Sequence, residues 1–179
     1  MIVEWHGTRP RVAPGAFVAP NATLVGDVTV EAGASIWYGA VLRGDFGAIV
    51  VHSGANIQDN VVVHVDASHP TTVGPDATVG HGAVLEACAV ERGAVIGMNA
   101  VVMNGAVVGE EAMVAAGAIV GEGMVVPPRH LAAGVPATVK KELSGRSLEW
   151  VRRAAPEYRA LAESYLREGL SDRAEPRGA

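Results

Sequence analysis

Aliphatic side chains recur at every sixth residue along most of this chain. They stand at Val12, Val18, Leu24, Val30, Ile36 and Leu42, then at Val51, Ile57 and Val63, then at Val73, Val79 and Leu85. The series resumes at Val90 and runs through Ile96, Val102, Val108, Val114, Val120 and Val126. Four residues after most of these stands a small one, as at Ala16, Ala34, Ala77, Ala94 and Ala118. Two positions in each six therefore face inward, which marks an internal repeat. An ordinary sandwich of short strands would not keep so strict a period. The step widens to nine between Leu42 and Val51 and to ten between Val63 and Val73, and shortens to five between Leu85 and Val90. Departures from six push residues outside the repeat, and the ten-residue step predicts a loop, DASHPT, at residues 66–71.

This pattern resembles the hexapeptide repeat of left-handed parallel β-helix proteins, in which each hexapeptide forms one side of a triangular prism. The resemblance covers residues 12 to about 131. Three hexapeptides make a coil of about 18 residues, and coils stack at the strand spacing of about 4.8 Å. The expectation is an all-β fold: a left-handed parallel β-helix of about six triangular coils with a C-terminal α-helical segment. Residues 1–11 read as a lead-in strand, 12–139 as the β-helix and 140–179 as helix and tail. Tight corners admit only small side chains, which accounts for the 22 glycines.

From Lys140 onward charge and aromatic residues return. Ser147 can cap a helix beginning SLEWVRRAA, and Pro156 is expected to break or restart it. Leu148 and Val151 form one apolar set, and Tyr158, Leu161, Ala162, Tyr165 and Leu166 another, both suited to packing on the prism. The last residues, SDRAEPRGA, are expected to fray.

Composition narrows the function. A net charge of −5 spread along the chain argues against a nucleic-acid partner, which needs clustered Lys and Arg. No apolar run reaches the roughly 18 residues that span a bilayer, and the N-terminus lacks a basic segment followed by an apolar one, so no membrane association is expected. The single cysteine, Cys88, forms no intrachain bridge and reads as a small buried side chain; a reducing cytoplasm fits.

The chemistry lies at His64, His81 and Glu86. His64 follows inward Val63 and Glu86 follows inward Leu85, 22 residues apart, or one coil of 18 plus four residues of loop. They stack on the same side of adjacent coils, within reach of a common ion if both point outward. His81, two residues after Val79, belongs to the adjacent side. A three-fold trimer would bring it beside His64 and Glu86 of the next copy.

The text VLRGD at 41–45, NIQDN at 56–60, VVHV around His64, VGHGAVL at 79–85 and IGMNAVV at 96–102 resembles the γ-class carbonic anhydrase-like family. The stretch IGMNAVV with NGAVVGEEAMVAAGAIV resembles its phenylacetate-degradation and carnitine-metabolism branch. The resemblance implies a homotrimeric lyase with a metal between subunits, zinc first, with iron(II) or another divalent ion as alternatives. Its three histidine ligands match His64, His81 and position 86, where this chain has Glu. Two histidines and a carboxylate can hold zinc or iron(II) with one position open to water. The carboxylate offsets part of the ion's charge, so the activated water would be a weaker acid than at a three-histidine site. By the same resemblance Gln58 would orient that water for attack on carbon dioxide, and Arg43, Asp45 and Asp59 would form the charge network near bicarbonate. A structural ion-pair network is an equal reading of those three. Two other functions stay open: coenzyme A thioesterase or acyltransferase chemistry on an acyl thioester, and a trimeric assembly subunit without catalysis.

Overall fold

The computed structural model describes residues 1–171; the fraying expected beyond Ser171, at 172–179, lies outside the described residues. The chain winds into a parallel solenoid of three faces. One face stacks strands Phe17–Val18, Ser35–Ile36, Asn56–Ile57, Thr78–Val79, Val95–Ile96, Met113–Val114 and His130–Gly134. A second stacks Arg11–Val12, the C-terminal parts of Thr23–Val30 and Val41–Val51, then Thr71–Val73, Ala89–Val90, Val107–Val108 and Val125–Val126. The third carries the first parts of those two long strands, then Val62–His64, Val84–Glu86, Val101–Val102 and Ile119–Val120, with Ile2–Val3 against Thr23–Val30 at its N-terminal end.

The sixth-residue aliphatics line the interior. Leu24, Leu42, Val63, Leu85, Val102 and Val120 on the third face are fully buried, and the alanines fill the corners beside them. There are seven turns, one more than the period alone predicts. The difference lies at the C-terminal end, where the inward residue six beyond Val126 is Ala132: it is buried, and Leu131–Ala132 pairs with Met113–Val114 as a further rung. An alanine in an aliphatic series carries little signal. The strand His130–Gly134 then turns back antiparallel through Ala137–Glu142 and packs over the last coil.

The interruptions do what the repeat requires. Strand Val41–Val51 keeps pairing on both sides of its insertion, so that residues 45–48 swell outward and put Asp45 and Phe46 outside the prism. The loop leaves below it at 66–70, one residue shorter than expected because Thr71 is buried and pairs with Ile49, and Asp66 accepts hydrogen bonds from Ser68 N, His69 N and Ser68 Oγ at 2.7 to 2.8 Å and from Asn104 Nδ2.

Helix α1, Gly145–Arg167, is continuous and starts earlier than the sequence suggests, with Ser144 at its N-cap. Ser147 still serves the terminus: its Oγ donates to the Ser144 carbonyl at 2.8 Å and accepts from Ser144 N. Pro156 does not break α1. A helical proline forfeits one backbone bond, to the Arg152 carbonyl, at roughly 3 kcal/mol, and packing on both sides of it holds the helix. On one side Leu148, Val151 and Ala154 pack with Val95, Met113, Leu131 and Leu143. On the other Tyr158, Ala162, Tyr165 and Leu166 meet the main core, with rings near Phe17 and Trp37; Leu161 is exposed instead. Ion pairs Arg152–Glu111, at 2.6 and 2.8 Å, and Arg159–Asp76 fasten α1 across the first face.

Candidate functional site

Outward positions on the third face fall in two columns. One is aliphatic: Val41, Val62, Val84, Val101 and Ile119. The other begins Arg43, His64, Glu86, because Arg43 and Glu86 are both register partners of His64. The outward swelling at 45–48 folds Asp45 back onto this column. Asp45 Oδ2 pairs with Arg43, Asp45 Oδ1 lies 3.0 Å from His64 Nε2, and His64 Nδ1 lies 2.9 Å from Glu86 Oε1. The side chains of His64 and Asp45 are about 15% exposed. Below the ring, Thr71 Oγ1 and Ala87 N both donate to the His64 carbonyl, and Phe46 stands edge-on to the ring at 6.0 Å.

The second group lies on the first face. Asn56 Nδ2 donates to Thr78 Oγ1 at 2.8 Å, Gln58 Nε2 to Asn56 Oδ1 at 3.1 Å, and His81 N to Gln58 Oε1 at 3.2 Å. His81 Nδ1 lies 2.8 Å from Asp59 Oδ2, and Tyr158 OH on α1 lies 3.3 Å from His81 Nε2. Gln58 and His81 are thus neighbours in one chain, since Gln58 follows inward Ile57 one rung from inward Val79. Asp59 stands with His81 in the single chain, not with Arg43 and Asp45. Tyr158 was not legible as a site residue; its only signal is that a tyrosine on a buried helix face needs a partner for its hydroxyl.

His64 with Glu86 and His81 with Asp59 form two separate groups, and among the described residues no three metal-binding side chains of one chain converge. His6 stands edge-on to Trp5, His52 meets Glu31, and His130 meets the Pro128 carbonyl, all local structural contacts. Asn99 takes a left-handed conformation at a corner, φ 55°, which is a turn role. Cys88 is buried, and burial pushes its thiol up to about 12.

Electrostatics separate the groups further. Burial raises the Asp45 pKa, but hydrogen bonds from His64 and Arg43 outweigh it and hold the carboxyl below its ordinary range. Burial and the nearby Asp59 charge push the Tyr158 phenol up, so it stays a neutral donor. Away from the site, the Arg152 hydrogen bond holds Glu111 below its ordinary range, and the Ser68, His69 and Asn104 donors hold Asp66 far below it. A carboxylate whose folded pKa is depressed contributes stability that is present above its unfolded value, near 4, and lost as pH falls through the folded value. Thermal melting should therefore drop as pH is lowered from about 5 to 3. Asp66→Ala should lower the melting temperature at pH 6 and by less at pH 3, as read by circular dichroism; equal losses at both would refute the assignment.

No family model matches the chain. It is similar to the carnitine operon protein CaiE of Citrobacter koseri, 45% identical across 88% of this chain and 80% of that protein. It is also similar to gamma carbonic anhydrase 1, mitochondrial, of Arabidopsis thaliana, 43% identical across 89% of this chain, which spans 60% of that longer protein. Two solved structures share the whole fold. A putative acetyltransferase of Bacillus cereus superposes with a TM-score of 0.91 at 34% identity, covering 92% of this chain and 96% of that one. A hexapeptide transferase family protein of Anaplasma phagocytophilum does so at 0.89 and 40%, covering 92% and 98%.

Proposed function

The chain belongs to the γ-carbonic-anhydrase-like family of hexapeptide-repeat proteins, and from that premise we propose that it is a cytoplasmic homotrimer holding a divalent metal ion between subunits for the reversible hydration of carbon dioxide. His64 and Glu86 of one copy and His81 of the next would hold the ion, zinc first and iron(II) next.

One contact carries the reading. With Nε2–H of His64 donated to Asp45, Nδ1 presents a lone pair, and it faces a Glu86 oxygen at 2.9 Å. Two acceptors so close repel unless a cation lies between them. Two donors on a tetrahedral ion with bonds of about 2.0–2.2 Å sit roughly 3.3–3.6 Å apart, so a spreading of this pair by about half an ångström admits one. His81 is prepared in the same way. Asp59 takes Nδ1–H at 2.8 Å, which fixes the tautomer and leaves the Nε2 lone pair to a long contact with Tyr158 OH, at 3.3 Å, that an ion would replace; this carboxylate–histidine arrangement commonly supports ligating imidazoles.

The aliphatic column supports assembly. Val41, Val62, Val84, Val101 and Ile119 stand beside the Arg43–His64–Glu86 column on one flat face, with Val62 40% exposed in the single chain. A second copy laid there would cover them and bring its His81 to the column.

When bound, the ion would acidify a water for attack on carbon dioxide. The chain's own residues do the rest. Asp45 and Asp59 hold the two imidazoles, and Arg43 balances the Asp45 charge. Gln58, fixed by Asn56, spends one amide hydrogen there; we assign the other to orienting the water. Glu86 offsets part of the ion's charge, so hydration should be slow at neutral pH.

The second reading puts a proton between His64 and Glu86, which would make the pair an ion-paired clamp between coils and the protein a non-catalytic assembly subunit. Elemental analysis of protein purified without chelator decides between them, joined to sedimentation and stopped-flow hydration. About one divalent ion per subunit in a trimer with measurable hydration is expected. A metal-free protein that takes up neither zinc nor iron(II) on reconstitution would end the metal reading.

A further inference from the structure

A cavity of about 390 Å³ lies between α1 and the first face of the prism. Its walls are small by construction. On the prism side Gly80 and Gly97 lack side chains because a Cβ would meet the backbone of the next rung: Ile96 O at 2.8 Å from one, and Ala116 N at 2.4 Å from the other. On the helix side stands Ala154. Ion pairs and apolar contacts fasten α1 on either side of this stretch, so the helix bridges the gap without closing it.

Packed interiors leave few voids larger than a water, whereas small-molecule sites run from about 300 to 1,000 Å³. Three-atom carbon dioxide needs a small fraction of this space. The wall is apolar at Val95, Met98, Met113 and Trp150, and the far end is polar at Gln58, His81 and Tyr158. Tyr158 OH is the hydrogen-bond donor there: its contact with His81 Nε2 is long, at 3.3 Å, and the hydroxyl can turn to a bound carbonyl. The charges at that end are acidic: Asp59 is paired with His81, and Glu157 lines the cavity. Donors beside carboxylates accept a neutral carbonyl and repel an anion.

We propose that this cavity binds an uncharged molecule with a short apolar body ending in a carbonyl group, the body lying against Met98, Met113 and Trp150 and the carbonyl accepting from Tyr158. Cavity and site meet at His81, but the pocket needs no metal. Binding therefore stands or falls separately from hydration.

Protein labelled at its methionine methyls with carbon-13 tests this by titration with hexanamide, hexanoate and acetamide. Of the five methionines only Met98 and Met113 line the cavity. Their signals should shift saturably with hexanamide while those of Met103 and Met124 stay still. Hexanoate should bind at least about tenfold more weakly, and acetamide should give no saturation. Chelator-stripped protein should give the same shifts. Ala116→Phe, which fills the cavity from an exposed wall position, should abolish them with the melting temperature kept; Tyr158→Phe, which keeps the ring, should weaken hexanamide about tenfold. The proposal is overturned if the two methyls do not saturate, if hexanoate binds as tightly as hexanamide, or if neither variant changes the titration.

Discussion

Gly97→Ala should cost roughly 3 kcal/mol or more, in the range of severe overpacking. A Cβ there would lie 2.4 Å from Ala116 N, 2.7 Å from Ala115 C and 2.7 Å from Val114 O. All three are backbone atoms of the next rung, and Gly97 N itself donates to Val114 O at 2.8 Å. No side chain can yield, so the rungs must part. For a chain of this size the melting temperature should fall by about 6–12 °C. Two other glycines separate this cause from ordinary turn strain. Gly117 has φ +67°, and a Cβ added to it would meet nothing within 4 Å, so Gly117→Ala costs only the left-handed conformation, about 1–2 kcal/mol. Gly121 has neither constraint, so Gly121→Ala should be neutral or stabilising by a few tenths of a kcal/mol. The order of melting temperatures should be Gly121→Ala highest, then Gly117→Ala, then Gly97→Ala; equal losses at 97 and 117 would refute the close-approach account.

That ordering shows where reading the sequence stops. A period of six specifies the prism, because a residue that faces the axis must be aliphatic or small on every turn. It places the positive-φ glycines three residues after an inward aliphatic and others directly after one, but it does not say which of the latter need a missing Cβ. Gly97 and Gly121 both directly follow an inward aliphatic residue and differ only in what the neighbouring rung places beside them.

The site divides in the same way. The stacking of His64 on Glu86 follows from their separation of 22, and the register partners are those two residues. Asp59 and His81 are also 22 apart, and the same arithmetic identifies their 2.8 Å contact, although motif resemblance pointed Asp59 toward Arg43 and Asp45. Asp45 is different. Its contact with His64 depends on how the swelling at 45–48 folds back, and a nine-residue step says only that residues are expelled. Tyr158 reaches His81 through the docking of α1, which no repeat encodes. Pro156 misled for a related reason: local helix rules see the lost bond and not the tertiary packing that offsets it.

Glu86→His should raise carbon dioxide hydration at pH 7 by about tenfold, if the exchange lowers the pKa of the activated water by about one unit. Glu86 is an outward residue with its side chain 34% exposed, so the exchange leaves the core untouched. A carboxylate brings a full negative charge to the ion, whereas neutral imidazole brings none, and more of the ion's charge then acts on the water. Zinc shows the scale, with a water pKa near 9 in solution and near 7 in a three-histidine site. Metal content should stay near one per subunit, and the gain should shrink as pH rises past the pKa of the parent site. Glu86→Ala separates ligation from charge: it removes the donor, and metal content should fall with the fold intact. If Glu86→His alters neither metal content nor hydration, the contact between His64 and Glu86 holds a proton, and the pair serves only to bind one coil to the next.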